Sequence, residues 1–146
     1  LYGPFDNFDL QSSHVLPAML RKFHEAKIKG DSPVELWGSG EPRREFLYSE
    51  DMADACIHVM KNINAFDTSC DLYNIGSGKD MTIKELALKI QETVGHKGEI
   101  KWNISKPDGT LRKLQDVSKL SNLGWSTKIA FDDALKNTYE WYLANT

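Results

Sequence analysis

Residues Thr82 to Gly95 read TIKELALKIQETVG, and this stretch sets the class of the fold. Thr82 followed three residues later by Glu85 is a capping box, in which each side chain satisfies a backbone N–H left free by the first helical turn. Ile83, Leu86, Ala87, Ile90 and Val94 recur at helical spacing and give one apolar stripe. Gly95 stands where a left-handed residue closes a helix. Upstream, Leu72-Tyr73-Asn74-Ile75 reads as a strand ending at Gly76-Ser77-Gly78, and downstream Ile100-Lys101-Trp102-Asn103 reads as another.

The same alternation extends in both directions. Ser13 as N-cap, Pro17 in the first turn and Gly30 at the stop predict a helix from His14 to about Lys27. Val34 to Trp37 and Glu45 to Tyr48 read as short strands around the turn Gly38-Ser39-Gly40-Glu41-Pro42. Ser49 is the expected cap of a second helix, with Glu50 and Asp51 in its positive first turn and Met52, Ala55, Cys56, Val59 and Ile63 on one apolar face. A polar loop follows from Ser105 to Leu114. A short helix is expected over Val117 to Leu123 and a last one over Phe131 to Leu143, with Phe131, Ala134, Leu135, Thr138 and Trp141 on one side. Residues 1–12 are irregular, and Leu1-Tyr2-Gly3-Pro4 reads as a strand running into a loop, which predicts that the chain begins inside a larger protein. Alternating helices and short strands make the class α/β.

Composition narrows the function classes. At 146 residues and 40% hydrophobic content the chain can bury a core of its own. A net charge of -3 argues against general nucleic-acid binding. Cys56 and Cys70 form no CxxC pattern, and Cys56 is expected to be a buried small hydrophobe. The sequence shows neither a signal peptide nor an apolar run near the ~20 residues that span a bilayer, so neither a disulfide nor a membrane association is expected and the protein reads as cytoplasmic.

No G-x-G-x-x-G fingerprint opens a strand–helix unit, so the usual dinucleotide cradle is absent from the sequence. Gly38-Ser39-Gly40 and Gly76-Ser77-Gly78 read as turns. No tyrosine is followed four positions later by lysine, the acid-and-helper pair of short-chain reductases. His14, His24, His58 and His96 fit no zinc spacing, and no metal is expected. The last three lie on helices or helix ends, where structural or exposed roles are expected. His14 stands apart, where a polar loop enters a helix. Lys22, Arg43, Arg44, Arg112 and Lys113 come from three segments; they are either solvated surface charge or a convergent grip for a diphosphate. Trp37, beside the 38–42 turn, is either core, the default for a tryptophan, or a flat wall for a nucleobase.

Several segments resemble the GDP-L-fucose synthase family of extended short-chain dehydrogenase/reductases. They are Asp6-Asn7-Phe8-Asp9, Ser13-His14-Val15-Leu16-Pro17-Ala18, Arg21-Lys22-Phe23-His24-Glu25-Ala26, Trp37-Gly38-Ser39-Gly40, Arg44-Glu45-Phe46-Leu47, Ser105-Lys106-Pro107-Asp108-Gly109-Thr110, Arg112-Lys113-Leu114, Leu123-Gly124-Trp125 and Thr138-Tyr139-Glu140-Trp141. The Ser13 and Ser105 segments are the most specific. Arg44-Glu45-Phe46-Leu47 and Leu123-Gly124-Trp125 are shared with many sugar-nucleotide epimerases and dehydratases.

The resemblance implies the C-terminal substrate-binding domain of such an enzyme, with residues 1–12 as the end of the Rossmann domain and a crossover loop, and residues 13–146 as the GDP-sugar region. It implies a dimeric, NADPH-dependent enzyme that epimerises GDP-4-keto-6-deoxy-D-mannose at C3 and C5 and reduces C4. Its main NADPH site, catalytic cysteine and Tyr/Lys pair would precede Leu1, so this chain alone is expected to be inactive. It assigns His14 as the acid of epimerisation and a cofactor neighbour. Lys22, Trp37, Arg44, Asp108 and Lys113 go to the nucleotide-sugar, and Leu1 to a backbone contact near the cofactor. Two other readings compete. One is a free-standing GDP-sugar-binding module; the other is a related nucleotide-sugar epimerase or dehydratase, which His14 and its flanks argue against.

Overall fold

The computed structural model describes residues 1–63 and 72–146; Cys70 lies outside them. Its elements run α1 (Val15–Ile28), β1 (Val34–Trp37), β2 (Arg43–Glu45), α2 (Ser49–Asn62), β3 (Asp80–Thr82), α3 (Ile83–Val94), β4 (Ile100–Asn103), β5 (Arg112–Lys113), α4 (Ser118–Asn122) and α5 (Phe131–Asn145). The α/β class holds.

The α3 helix forms as its local signals direct. The Thr82 hydroxyl accepts from the Glu85 N–H at 3.0 Å, and the Glu85 carboxylate accepts from the Thr82 N–H at 2.7 Å. Gly95 closes it at φ 74°. Leu86, Ala87, Ile90 and Val94 are buried, and α3 packs against both α1 and α5. Leu16, Leu20 and Phe23 of α1 and Leu135 of α5 complete this core, which also takes in Val34 and Leu36 of β1. A smaller core joins Leu47, Ala55, Leu120 and Trp125.

Two small sheets lie beside the helices. In one, β1 pairs with β4 in parallel, Val34 opposite Ile100 and Trp37 opposite Asn103. In the other, β2 runs between β3, antiparallel, and β5, parallel. A parallel bridge also joins Tyr2 to Tyr48: the Tyr2 N–H donates to the Leu47 carbonyl, and the Ser49 N–H to that of Tyr2. Among the described residues no helix is long and apolar enough to cross a membrane.

Several expectations are corrected. The strand expected at 45–48 is displaced toward the N-terminus, to Arg43–Glu45, because β3 and β5 offer their edges there; beyond Glu45 only Tyr48 retains a bridge. Among the described residues, 72–75 are not in a strand. Instead Leu72 is exposed and the Asn74 amide donates to the Asp116 carbonyl. Cys56 is exposed because its helix buries Asp51 and Ala55, and position 56 turns away from that face. The helix caps are His14 and Tyr48, one residue off the expected Ser13 and Ser49, and neither makes a side-chain capping bond. Within the polar loop, Arg112 and Lys113 are a strand.

Leu86 is fully buried and Leu88, on the same helix, is exposed. Leu86→Ala should therefore lower unfolding free energy by about 2–5 kcal/mol, whereas Leu88→Ala should change it by less than about 0.5 kcal/mol. Urea denaturation of the two variants measures both.

Candidate functional site

Strand alternation sorts the cations. Side chains of successive strand residues point to opposite faces, and Arg43 is in register with Arg112 while Arg44 is in register with Lys113. One face carries Arg43 and Arg112, and both meet Asp80 on β3. The Arg43 Nε donates to Asp80 Oδ1 at 2.9 Å and the Arg112 Nε to Oδ2 at 2.5 Å. The Arg112 and Arg43 guanidiniums hold the Asp80 carboxyl below the usual carboxylate range. These two arginines are engaged by Asp80, which leaves Lys22, Arg44 and Lys113 of the five cations. The sequence signal was available: of two adjacent arginines in a strand, only one faces a given ligand.

Arg44 is fixed on the opposite face. Its Nη1 donates to the carbonyls of Arg43 at 2.7 Å and Thr110 at 2.6 Å. A guanidinium carries five N–H donors, and Nε and Nη2 make no bond among the described residues. Gly109 lies against Nη2, where an added Cβ would sit 3.0 Å away.

Trp37 ends β1 on its outward side. Val34 and Leu36 are buried while Glu35 and Trp37 are exposed, and Trp37 is 66% exposed. It is a flat wall and not core, against the default for its residue type. Lys22 Nζ lies 5.8 Å from the indole centroid and also donates to the Glu35 carbonyl at 3.2 Å. Lys106, which the sequence reading did not single out as a site residue, places its Nζ 5.3 Å from the same centroid. Cations at such distances are attracted by the ring's negative face.

Asp108 is tied to the turn that follows Trp37. Its Oδ1 accepts from the Ser39 N–H at 2.8 Å and its Oδ2 from the Ser39 hydroxyl at 2.6 Å. The Ser39 hydroxyl, then its N–H, hold this carboxyl below the usual range. Gly38 sits at φ 79°, and a Cβ there would come within 2.3 Å of Asp108 Oδ1, so the turn admits only glycine.

Lys22, Trp37, Asp108, Arg44 and Lys113 thus form one contiguous shelf. His14 does not join it. It is exposed at the α1 N-cap, eight residues before Lys22, or about 12 Å along an α-helix axis. Leu1 is exposed beside the Tyr2 bridge. The other histidines are structural: His24 Nδ1 and the Tyr139 hydroxyl share a 3.0 Å bond, while ring nitrogens of His58 and His96 reach the carbonyls of Leu123 and Ser32.

The fold is an α/β domain that presents an outward tryptophan and strand-borne cations. Residues 1–76 match the NAD dependent epimerase/dehydratase family, and the chain belongs to that family. It is similar to "Putative GDP-L-fucose synthase 2" of Arabidopsis thaliana, 53% identical over 145 residues, covering 99% of this chain and 43% of that protein. It is 48% identical over 150 residues to GDP-L-fucose synthase of Escherichia coli (strain K12), covering 99% and 47%. Among solved structures, a GDP-L-fucose synthetase from Naegleria fowleri bound to NADP aligns with a TM-score of 0.86 at 30% identity, covering 99% of this chain and 44% of that one. The chain therefore spans less than half the length of these relatives. Their names bear out the resemblance carried by the motifs.

Asp80 yields a pH prediction. A carboxyl whose pKa is lowered by folding contributes stability that is complete above its unfolded pKa and is lost as pH falls through the lower folded value. Asp80→Asn should therefore lower Tm at pH 7, and its gap from the parent should narrow as pH drops below about 4. Thermal melts from pH 7 to pH 2.5 measure this; a gap independent of pH would exclude the ion pairs as its source.

Proposed function

We propose that this chain is the nucleotide-sugar-binding part of a GDP-L-fucose synthase, an NADPH-dependent epimerase-reductase acting on GDP-4-keto-6-deoxy-D-mannose. The observation that carries this reading is the shelf itself. A solvent-facing indole suits a nucleobase, and Arg44 with Lys113 on one strand face suits a diphosphate. Relatives at 48–53% identity named GDP-L-fucose synthase support the particular sugar. The outward setting of Trp37 and the sorting of Arg44 from Arg43 support assigning Lys22, Trp37, Arg44 and Lys113 to the nucleotide. Asp108 borders the same shelf.

Residues 1–12 are assigned to the end of a Rossmann domain and its crossover, and residues 13–146 to the substrate region. The parallel bridge Tyr2–Tyr48 crosses this division and ties the first segment to the second.

NADPH requires a cradle of N–H groups for its pyrophosphate. Neither G-x-G turn fits that need. Asp108 fills the space at Gly38, and the Glu45 carboxylate lies 2.5 Å from where a Cβ of Gly76 would be while accepting from the Gly78 N–H at 2.6 Å. Both turns therefore face a carboxylate of their own chain. Cofactor contacts in this chain are limited in the proposal to Leu1 and His14, and the chain alone is inactive in it.

Epimerisation next to a ketone needs a base to remove a proton from one face and an acid to return one to the other. An imidazole can supply that proton, and the exposed setting of His14 leaves it open to a substrate. In a protein of the relatives' full length, His14→Asn should slow solvent-deuterium exchange at C3 and C5 by about 10²–10⁴-fold while GDP binding persists. Exchange at the parent rate would exclude His14 as that acid.

Arg44→Ala removes charge-assisted bonds that contribute about 1.5–3 kcal/mol net. GDP-sugar affinity should fall about ten- to a hundredfold by calorimetry, and an unchanged affinity would make Arg44 a purely structural tie to Thr110.

A further inference from the structure

We propose that Asp9 is a positioning residue for His14: it braces the strap that leads into α1 and so fixes where the imidazole stands, acting through the backbone and not on the substrate. The inference rests on the epimerisation reading above.

His14 makes no side-chain capping bond at the start of α1. The place of its imidazole is therefore set by the backbone on either side. On one side Leu16, Leu20 and Phe23 bury α1 in the main core. On the other runs a strap, residues 7–12, in which only Phe8 is buried. An exposed strap is ordered by its hydrogen bonds, and these centre on Asp9. Its Oδ1 accepts from the Gln11 N–H, the Ser12 N–H and the Ser12 hydroxyl, each at 3.0 Å. The Asp9 carbonyl accepts from the Ser13 N–H at 2.9 Å, which closes a turn one residue before His14. Asn7 braces the turn from outside: its Oδ1 accepts from the Asp9 N–H at 2.9 Å and its Nδ2 donates to the Ser12 hydroxyl at 3.0 Å. The Gln11 N–H, then the Ser12 hydroxyl and N–H, hold the Asp9 carboxyl below the usual carboxylate range.

The strap is fastened just upstream of that turn. The Phe8 ring centroid lies 4.7 Å from that of Tyr142 on α5, and the Phe8 carbonyl accepts from Arg21 Nη1 at 3.2 Å. Glu25, one helical turn on, accepts from Arg21 Nε at 2.7 Å. Residues 9–13 are thus all that lies between an anchored Phe8 and His14, and the Asp9 bonds brace that span. Without its carboxylate the N–H groups of Gln11 and Ser12 lose their acceptor, and the turn slackens at the N-cap. Lys22 stands about two turns further along a helix that the core still holds, so the nucleotide end should not move. Asp9 therefore separates the two halves of the proposed site: loss of its bonds disturbs proton transfer and spares nucleotide binding.

The test uses a full-length protein carrying this chain, with GDP as the binding probe and GDP-4-keto-6-deoxy-D-mannose in heavy water as the reaction probe. Asp9→Ala should slow deuterium exchange at C3 and C5 about tenfold, below the ~100-fold that a misplacement of ~1 Å can cost, with GDP affinity unchanged. Asp9→Asn keeps the acceptor oxygen and should exchange at the parent rate. In a His14→Asn background Asp9→Ala should add no further slowing, because it acts through the imidazole. Parent-like exchange in Asp9→Ala would make the strap a matter of fold alone. Full additivity with His14→Asn, or Asp9→Asn as slow as Asp9→Ala, would place the action of the carboxylate elsewhere and overturn the proposal. A matching loss of GDP affinity would overturn it too, since the disturbance would then reach Lys22. If His14→Asn itself exchanges like the parent, the reading of the preceding subsection fails and takes this proposal with it.

Discussion

The Asp80 carboxylate sets the polarity of the whole site. Its side chain is 6% exposed and receives two guanidiniums, one from the adjacent β2 and one from β5 beyond it. Arg43 and Arg112 stand opposite each other in register, an arrangement of like charges that destabilises a sheet unless a counter-ion lies between them. With Asp80 in that place, β3, β2 and β5 are tied together on one face. Alternation then leaves Arg44 and Lys113 nowhere to point but the other face. Selection of two cations out of four thus follows from a single buried acid and the period of a strand.

A second constraint acts at the glycine turns. Gly38 and Gly76 are places where a carboxylate of the same chain occupies the room of a side chain. The motif G-x-G is often taken as a phosphate cradle, yet here each turn already holds an internal anion. Glu45 receives the Gly78 N–H at 2.6 Å and the Gln115 N–H at 3.1 Å, and so joins the 76–78 turn to the segment beyond β5. The glycines serve close packing of chain on chain. In the proposed function, phosphate recognition falls instead to long cationic side chains, whose reach tolerates a shallow surface.

Legibility in the sequence followed the range of the interaction involved. The α3 helix was readable to the residue because the Thr82–Glu85 box and the left-handed Gly95 are signals within one turn of each end. The Leu72–Ile75 strand was misread because its evidence was local and strand pairing is not. Cys56 was misplaced because a helix such as α2, with only Asp51 and Ala55 buried, leaves the edges of its apolar stripe exposed. Trp37 defied its residue type because alternation along β1 had already assigned Val34 and Leu36 to the core. Asp80 escaped notice altogether, since an acid that pairs across 37 residues with Arg43 and 32 with Arg112 leaves no local pattern. Ser39 escaped for the same reason, its partner lying 69 residues away.

The α1 helix relates the two halves of the proposed chemistry. His14 caps its start, and Lys22 leaves its middle toward Trp37. Between them Leu16, Met19 and Leu20 are buried, with Phe23 just beyond, so the helix is held along its length by the main core. A proton donor and a nucleotide anchor on one packed helix keep a fixed separation. Contacts made with the nucleotide, remote from the reacting carbons, then restrict where the sugar can lie relative to the imidazole. On the proposed function, placement of the sugar ring depends on side chains that never meet it, and the core residues of α1 then belong to the chemistry as much as to the fold.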